Sequence, residues 1–106
     1  MKEAKGGIRL GRKVEKRTDL MMIPNVGIKI KQDLMDIGIQ CVEDLVGKDP
    51  EVLYAEDCLK KGFTEDRCLL YVFRMAVYYA EHGKEELEEE KLKWWYWKDK
   101  EYPVRL

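Results

Sequence analysis

The sequence predicts an all-α fold, a compact domain of five or six helices. Three observations predict it. Apolar residues recur at spacings of three and four, as in Ile30, Leu34 and Ile37. No segment alternates apolar and polar residues in the manner of a half-buried strand. Helix punctuation is frequent: Asp49-Pro50-Glu51 reads as an N-cap acid, a proline at the first helical position and an acid in the first turn, while Gly38 and Gly62 follow periodic stretches as terminating glycines.

In chain order, residues 1–10 contain Gly6-Gly7 and little periodicity, and are expected to form a flexible basic arm. Residues 11–106 make a single helical domain. Its first helix is expected from about Arg12 to Met22, with Val14, Leu20 and Met21 buried, and Pro24 stops it. The second runs from about Ile28 to Ile37. A short helix follows over Val42–Val46, with Cys41 at the capping position and Asp44 three residues on. The helix opened by Asp49 carries Val52, Leu53, Ala55 and Leu59. Thr64 is placed to cap the next, with Glu65 and Asp66 favourable at its positive end. Asp66 to His82 is the longest and most apolar stretch, so it is expected at the centre of the fold or in an interface. Lys84 to Lys91 is strongly acidic and reads as an exposed helix. A tail over 92–106 holds all three tryptophans.

Composition sets limits on function. The charged fraction of 39% implies a strongly solvated exterior. No apolar run approaches the ~18 residues that cross a bilayer, and the basic N-terminus lacks the apolar core of a secretory signal. Three cysteines at wide spacing do not form a disulfide framework. A reduced, cytoplasmic setting is the expectation. Net charge is −1, yet residues 1–31 hold nine Lys or Arg against three Asp or Glu, and the remainder is correspondingly acidic. The basic share sits beside the segment of greatest interest, where local field matters more than the total.

That segment is Ile23-Pro24-Asn25-Val26-Gly27. Pro24 fixes its own φ, Asn25 tolerates a positive φ, and Gly27 accepts one freely. A tight turn feeding a helix start can aim backbone N–H groups outward as an anion site, and Lys29 and Lys31 follow directly. Residues 19–38 resemble the helix-hairpin-helix motif, whose pattern is a hydrophobic residue, Pro-Gly-hydrophobic-Gly, then a helix. Asn25 stands at the first glycine, and Lys31 stands where a small residue usually lies at the helix crossing. Gly38-Ile39-Gln40-Cys41-Val42-Glu43-Asp44-Leu45, Asp49 to Tyr54, Asp66 to Arg74 and Lys91 to Asp99 extend the likeness. Together they resemble the small "pathogenicity locus" helix-hairpin-helix family from about residue 18 to 99. The resemblance implies a presumed DNA-binding role and carries no established activity.

Other constellations carry less. Trp94-Trp95-Tyr96-Trp97, with Lys91, Lys93 and Lys98 around it, suits a cap on the core, a protein interface or stacking of single-stranded bases. Cys41, Cys58, Cys68 and His82 are four potential zinc ligands, but none has the close C-x₂₋₄-C spacing of a zinc knuckle. Cys58 and Cys68 read more simply as small hydrophobes at a helix contact. The chain contains no serine, and His82 is its single histidine, so no serine-nucleophile scheme exists. Catalytic residues, cofactors, metals and small-molecule substrates are not expected.

The expected function is therefore weak, sequence-nonspecific binding of nucleic acid, DNA in the first instance. Asn25, Val26, Gly27, Lys29 and Lys31 would hold backbone phosphates, assisted by Arg12, Lys13, Lys16 and Arg17. The alternative is a protein-interaction or self-assembly module, a homodimer for example, using the apolar long helix and the Trp-rich tail.

Overall fold

The computed structural model describes residues 18–103. Their regular structure is entirely helical. It comprises α1 (Ile28–Asp36), α2 (Pro50–Lys61), α3 (Arg67–Glu81) and 3-10 segments at Leu20–Met22, Val42–Leu45, Lys84–Glu86, Glu89–Leu92 and Trp94–Asp99. None of the described helices is long and apolar enough to cross a membrane.

α3 is the centre, as its composition requires. Nine of its positions, from Leu69 to Tyr78, are buried. A helix apolar on nearly every side must be covered on nearly every side. The 3-10 segments and the other helices do this, contributing Leu20, Ile23, Leu34, Leu45 and Trp97 to one core. Arg74 is the exception within α3. It is buried, and its guanidinium donates to the Trp97 carbonyl (2.7 Å) and to the Glu51 carboxylate (2.6 and 3.2 Å). One side chain thus ties α3 to the start of α2 and to the Trp-bearing segment.

Local chemistry accounts for most of the helix ends. Asp49 caps α2 by accepting from the Glu51 N–H (2.9 Å), with Pro50 at the first position. α1 ends in a complete Schellman motif. Gly38 sits at φ +94°, its N–H donates to the Met35 carbonyl (3.1 Å), and the Ile39 N–H reaches back to Leu34 (2.9 Å).

Several expectations are corrected. α3 is capped by Asp66, which accepts from the Cys68 N–H (2.8 Å), and not by Thr64. Cys41 makes no cap. The Val42 N–H donates instead to Asp19 Oδ1 (2.8 Å), while Asp44 accepts from the Gln40 N–H (2.9 Å). The acidic stretch over 84–91 is two separate 3-10 turns rather than a helix. In an α-helix Glu85 would lie over Glu89 and Glu86 over Glu90, and like charges at that spacing repel. Of the expected first helix only the Leu20–Met22 turn lies among the described residues, where Leu20 is buried and Met21 exposed. Its earlier part, with Arg12, Lys13, Lys16 and Arg17, lies outside the described residues, as does the arm over 1–10.

The apolar residues of α2 divide between two faces. Leu53 is buried, whereas Val52, Ala55 and Leu59 are exposed. The buried face is Pro50, Leu53 and Asp57. The reason is an ionic cluster beneath α2, described below.

Candidate functional site

Ile23 to Val26 form a β-turn closed by the Val26 N–H donating to the Ile23 carbonyl (3.1 Å). Pro24 occupies the second position and Asn25 the third, at φ +71°. This is the arrangement of a type II turn, and asparagine is the side chain best suited to it after glycine. Ile23 and Val26 point into the core and anchor the turn, while Asn25 and Gly27 face solvent.

Gly27 then serves as the N-cap of α1, with φ −98° and ψ −165°. Any residue can adopt these angles, so Gly27 does not use the freedom the sequence suggested. Nor does packing demand it, because a Cβ there would meet nothing within 4 Å. With no cap side chain and no acid in its first turn, α1 presents bare N–H groups at its positive end. α2 and α3 each have an aspartate at that place.

The expected site residues are only partly brought together. The N–H of Val26 is consumed inside the turn. Lys29, in the first turn of α1, has a side chain 79% exposed and lies 3.9 Å from Asp33. Lys31 is half-buried and leaves the helix about 200° around from Lys29, so the two do not share a face. Ile28, at the start of α1, is exposed.

The turn is joined to the Trp-bearing segment, a link the sequence did not reveal. The Asn25 side-chain amide donates to the Leu92 carbonyl (3.3 Å). Next to Leu92 and Lys93, the Trp94 ring is half-buried and stacks nearly parallel on Tyr71, with centroids 6.4 Å apart. Trp95 stands edge-on to Trp94 and is exposed. Trp97 is buried, its indole N–H donating to the Lys91 carbonyl (2.9 Å). A cleft of about 380 Å³ opens between the turn, the start of α3 and Trp94.

Behind this cleft lies the ionic cluster, also missed from sequence. Lys61 Nζ lies 3.1 Å from Asp33, 3.0 Å from Asp57 and in hydrogen-bond contact with Glu65. Asp57 Oδ2 is buried and has the Lys61 ammonium at 3.0 Å as its ionic partner. Burial pushes the Asp57 carboxyl up, and the bond to Lys61 pulls against it. Burial would lower the Lys61 ammonium, but its bonds to Glu65, Asp57 and Asp33 outweigh this and hold it above the usual lysine range. Its hydrogen bond to Lys61 holds Glu65 below the usual carboxylate range. The three carboxylates offer oxygens within 4.8 Å of one another, and the charge they hold is the lysine ammonium. The i, i+4 spacings of Lys29 to Asp33, Asp57 to Lys61 and Lys61 to Glu65 were the available signals.

The remaining reactive side chains are otherwise engaged. Among the described residues, Cys41, Cys58, Cys68 and His82 do not converge as a metal-ligand group. Cys58 accepts from the Glu65 N–H at 3.3 Å. Cys68 is exposed, but the hydrogen bond to Asp66 raises its thiol above the usual range, the opposite of an activated thiolate. His82 Nδ1 meets the Tyr78 carbonyl at 2.8 Å. A carbonyl can only accept, so this nitrogen carries a proton and the ring acts as a clasp on α3.

No curated protein and no solved structure matches the chain. A family model described as "Pathogenicity locus" does match, over residues 13–102. That span takes in the turn, all three α-helices and the Trp-bearing segment, and the chain belongs to the Pathogenicity locus family.

Proposed function

We propose that the protein binds nucleic acid through backbone phosphates, without regard to sequence, at the Ile23–Gly27 turn. The observation that carries this reading is the bare N-terminus of α1. Its amides are uncapped, Gly27 leaves open space above them, and exposed Lys29 lies in the same turn. A phosphate oxygen is the acceptor that suits such N–H donors best. In this reading the turn is the hairpin of a helix-hairpin-helix motif, with Leu20–Met22 and α1 as its flanks. A single site of this kind makes few phosphate contacts, so binding is weak and falls steeply with salt.

Gly27→Asp is the sharpest test. The backbone at Gly27 already has N-cap geometry, and its Cβ direction is open. The new carboxylate would cap α1 as Asp49 caps α2, stabilising the fold by about 0.5 kcal/mol. It would also occupy the phosphate position with a like charge. The expected result is an unchanged or higher melting temperature and loss of most DNA binding in a low-salt fluorescence titration. Undiminished binding in this variant removes the turn as the site.

A second reading is self-association, and one observation favours it. Val52, Ala55 and Leu59 share the outer face of α2, with exposed Phe63 just beyond its end. In the Trp-rich tail Trp97 is buried, while Trp95 remains exposed. Leu59→Lys is expected to convert any concentration-dependent dimer to monomer in sedimentation equilibrium. A wild-type monomer at high concentration overturns this reading.

A further inference from the structure

The cleft beside the turn separates two kinds of polar chemistry. On its rim are Lys29 and the adjoining uncapped amides of α1, suited to an anion. Lining it further in are Asp33 and Glu65, which repel an anion and accept from N–H donors. Both cation contacts of Asp33 use Oδ2, and Oδ1 takes part in neither. Ile30 and the half-buried Trp94 supply apolar and aromatic surface, and the indole is held in place by its stack on Tyr71. The Asn25 bond to Leu92 fixes the spacing between the turn and Trp94. A phosphate outside, an aromatic face and carboxylate acceptors inside match one nucleotide with its base turned in. A base within a duplex cannot present itself this way, since it is stacked and paired.

We propose that this cleft receives an unpaired nucleobase, so that the ligand of the turn is single-stranded nucleic acid; the inference rests on the phosphate-binding reading above. The carboxylates favour a base that carries an amino group. Cytosine N4 donates to an acidic side chain, while thymine presents a carbonyl oxygen at the corresponding position and would be repelled. Aromatic stacking supplies the rest of the base affinity.

The test is fluorescence anisotropy of the full chain at low salt with labelled oligodeoxycytidylate, oligothymidylate and a mixed-sequence duplex. Gly27→Asp and Trp94→Leu are run alongside. Oligodeoxycytidylate is expected to bind about tenfold tighter than the duplex, and tighter than oligothymidylate. Trp94→Leu should lose about that tenfold advantage, whereas Gly27→Asp weakens binding of all three probes. If Trp94→Leu melts lower than the wild type, the cytosine preference of the wild-type protein decides. Duplex binding as tight as single-strand binding, or thymidylate binding as tight as cytidylate, overturns the base site. Should Gly27→Asp still weaken the duplex in that case, the phosphate site stands without it. Absence of binding to every probe overturns both.

Discussion

Trp97→Ala is expected to destabilise the protein by about 4 kcal/mol, in the range typical of deleting a buried tryptophan. The indole is only 4% exposed. It packs against Tyr78 and Tyr102, each with centroids 5.6 Å away, and against Tyr96 at 5.0 Å. Its N–H is satisfied by Lys91. Removing it opens a cavity against α3 and leaves that carbonyl short of a donor. Arg74 loses its position too, because the Trp97 carbonyl it holds belongs to a segment that no longer packs. Trp95→Ala is the control. That ring is 55% exposed, and its loss should cost no more than about 0.5 kcal/mol. Urea unfolding of the two variants checks the pair. A cost below about 1 kcal/mol for Trp97→Ala, or equal costs for both, contradicts the packing described here.

Lys61→Met is expected to cost about 3 kcal/mol at neutral pH, lowering the melting temperature by roughly 15 °C. Methionine keeps most of the apolar stem. It removes the one ammonium on which Asp33, Asp57 and Glu65 converge. Asp57 is then a buried carboxylate with no counterion, next to two others. The pH dependence has a definite sign. In the wild type, Glu65 is held low, so its contribution is present above the usual glutamate range and is lost as pH falls. Lys61 is held high, so its contribution is present below the usual lysine range and is lost as pH rises through its elevated value. In the variant Asp57 keeps the burial and the neighbouring carboxylates that raise it and loses the ammonium that opposes them. A carboxyl raised on folding stabilises when protonated and loses that contribution as pH rises. The gap between wild type and variant should therefore narrow on acidification. Adding Asp57→Asn to Lys61→Met should restore part of the loss by removing the buried charge. Thermal melts by circular dichroism across a pH series read all of this. A gap that widens in acid contradicts the cluster.

What the sequence makes legible is what is local. The Asp49-Pro50 start of α2, the Gly38 end of α1 and the extent of α3 each depend on a few adjacent residues, and each is where the pattern places it. The positive φ of Asn25 belongs to the same class. The inward face of α2 was not legible, because hydropathy ranks Val52 and Leu59 far above Asp57 and Lys61. That ranking holds for unpaired charges, and it reverses when one ammonium neutralises carboxylates drawn from three parts of the chain. Of the Ile23–Gly27 segment, the turn was legible and its surroundings were not. No spacing rule shows that the Val26 N–H closes the turn, that Lys31 turns away from Lys29, or that Asn25 bonds to Leu92. Trp94, Trp95 and Trp97 are one residue type within four positions, and only their surroundings make them a half-buried stack, an exposed edge and a core plug.

The Arg74–Trp97 tie also bears on how the chain is made. α3 is complete once Glu81 has been synthesised, but the residue that seals it arrives only with Trp97. At ribosomal speeds the stretch between them takes roughly 1–3 s, and for that interval the most apolar helix of the protein is uncovered on one flank. The glutamates at 85, 86, 88, 89 and 90 are translated within this interval. A dense negative charge emerging beside a bare apolar helix discourages nascent chains on neighbouring ribosomes from sticking to one another. The acidic stretch that forms no helix in the finished fold thus follows directly on α3 in synthesis and precedes the residue that seals it.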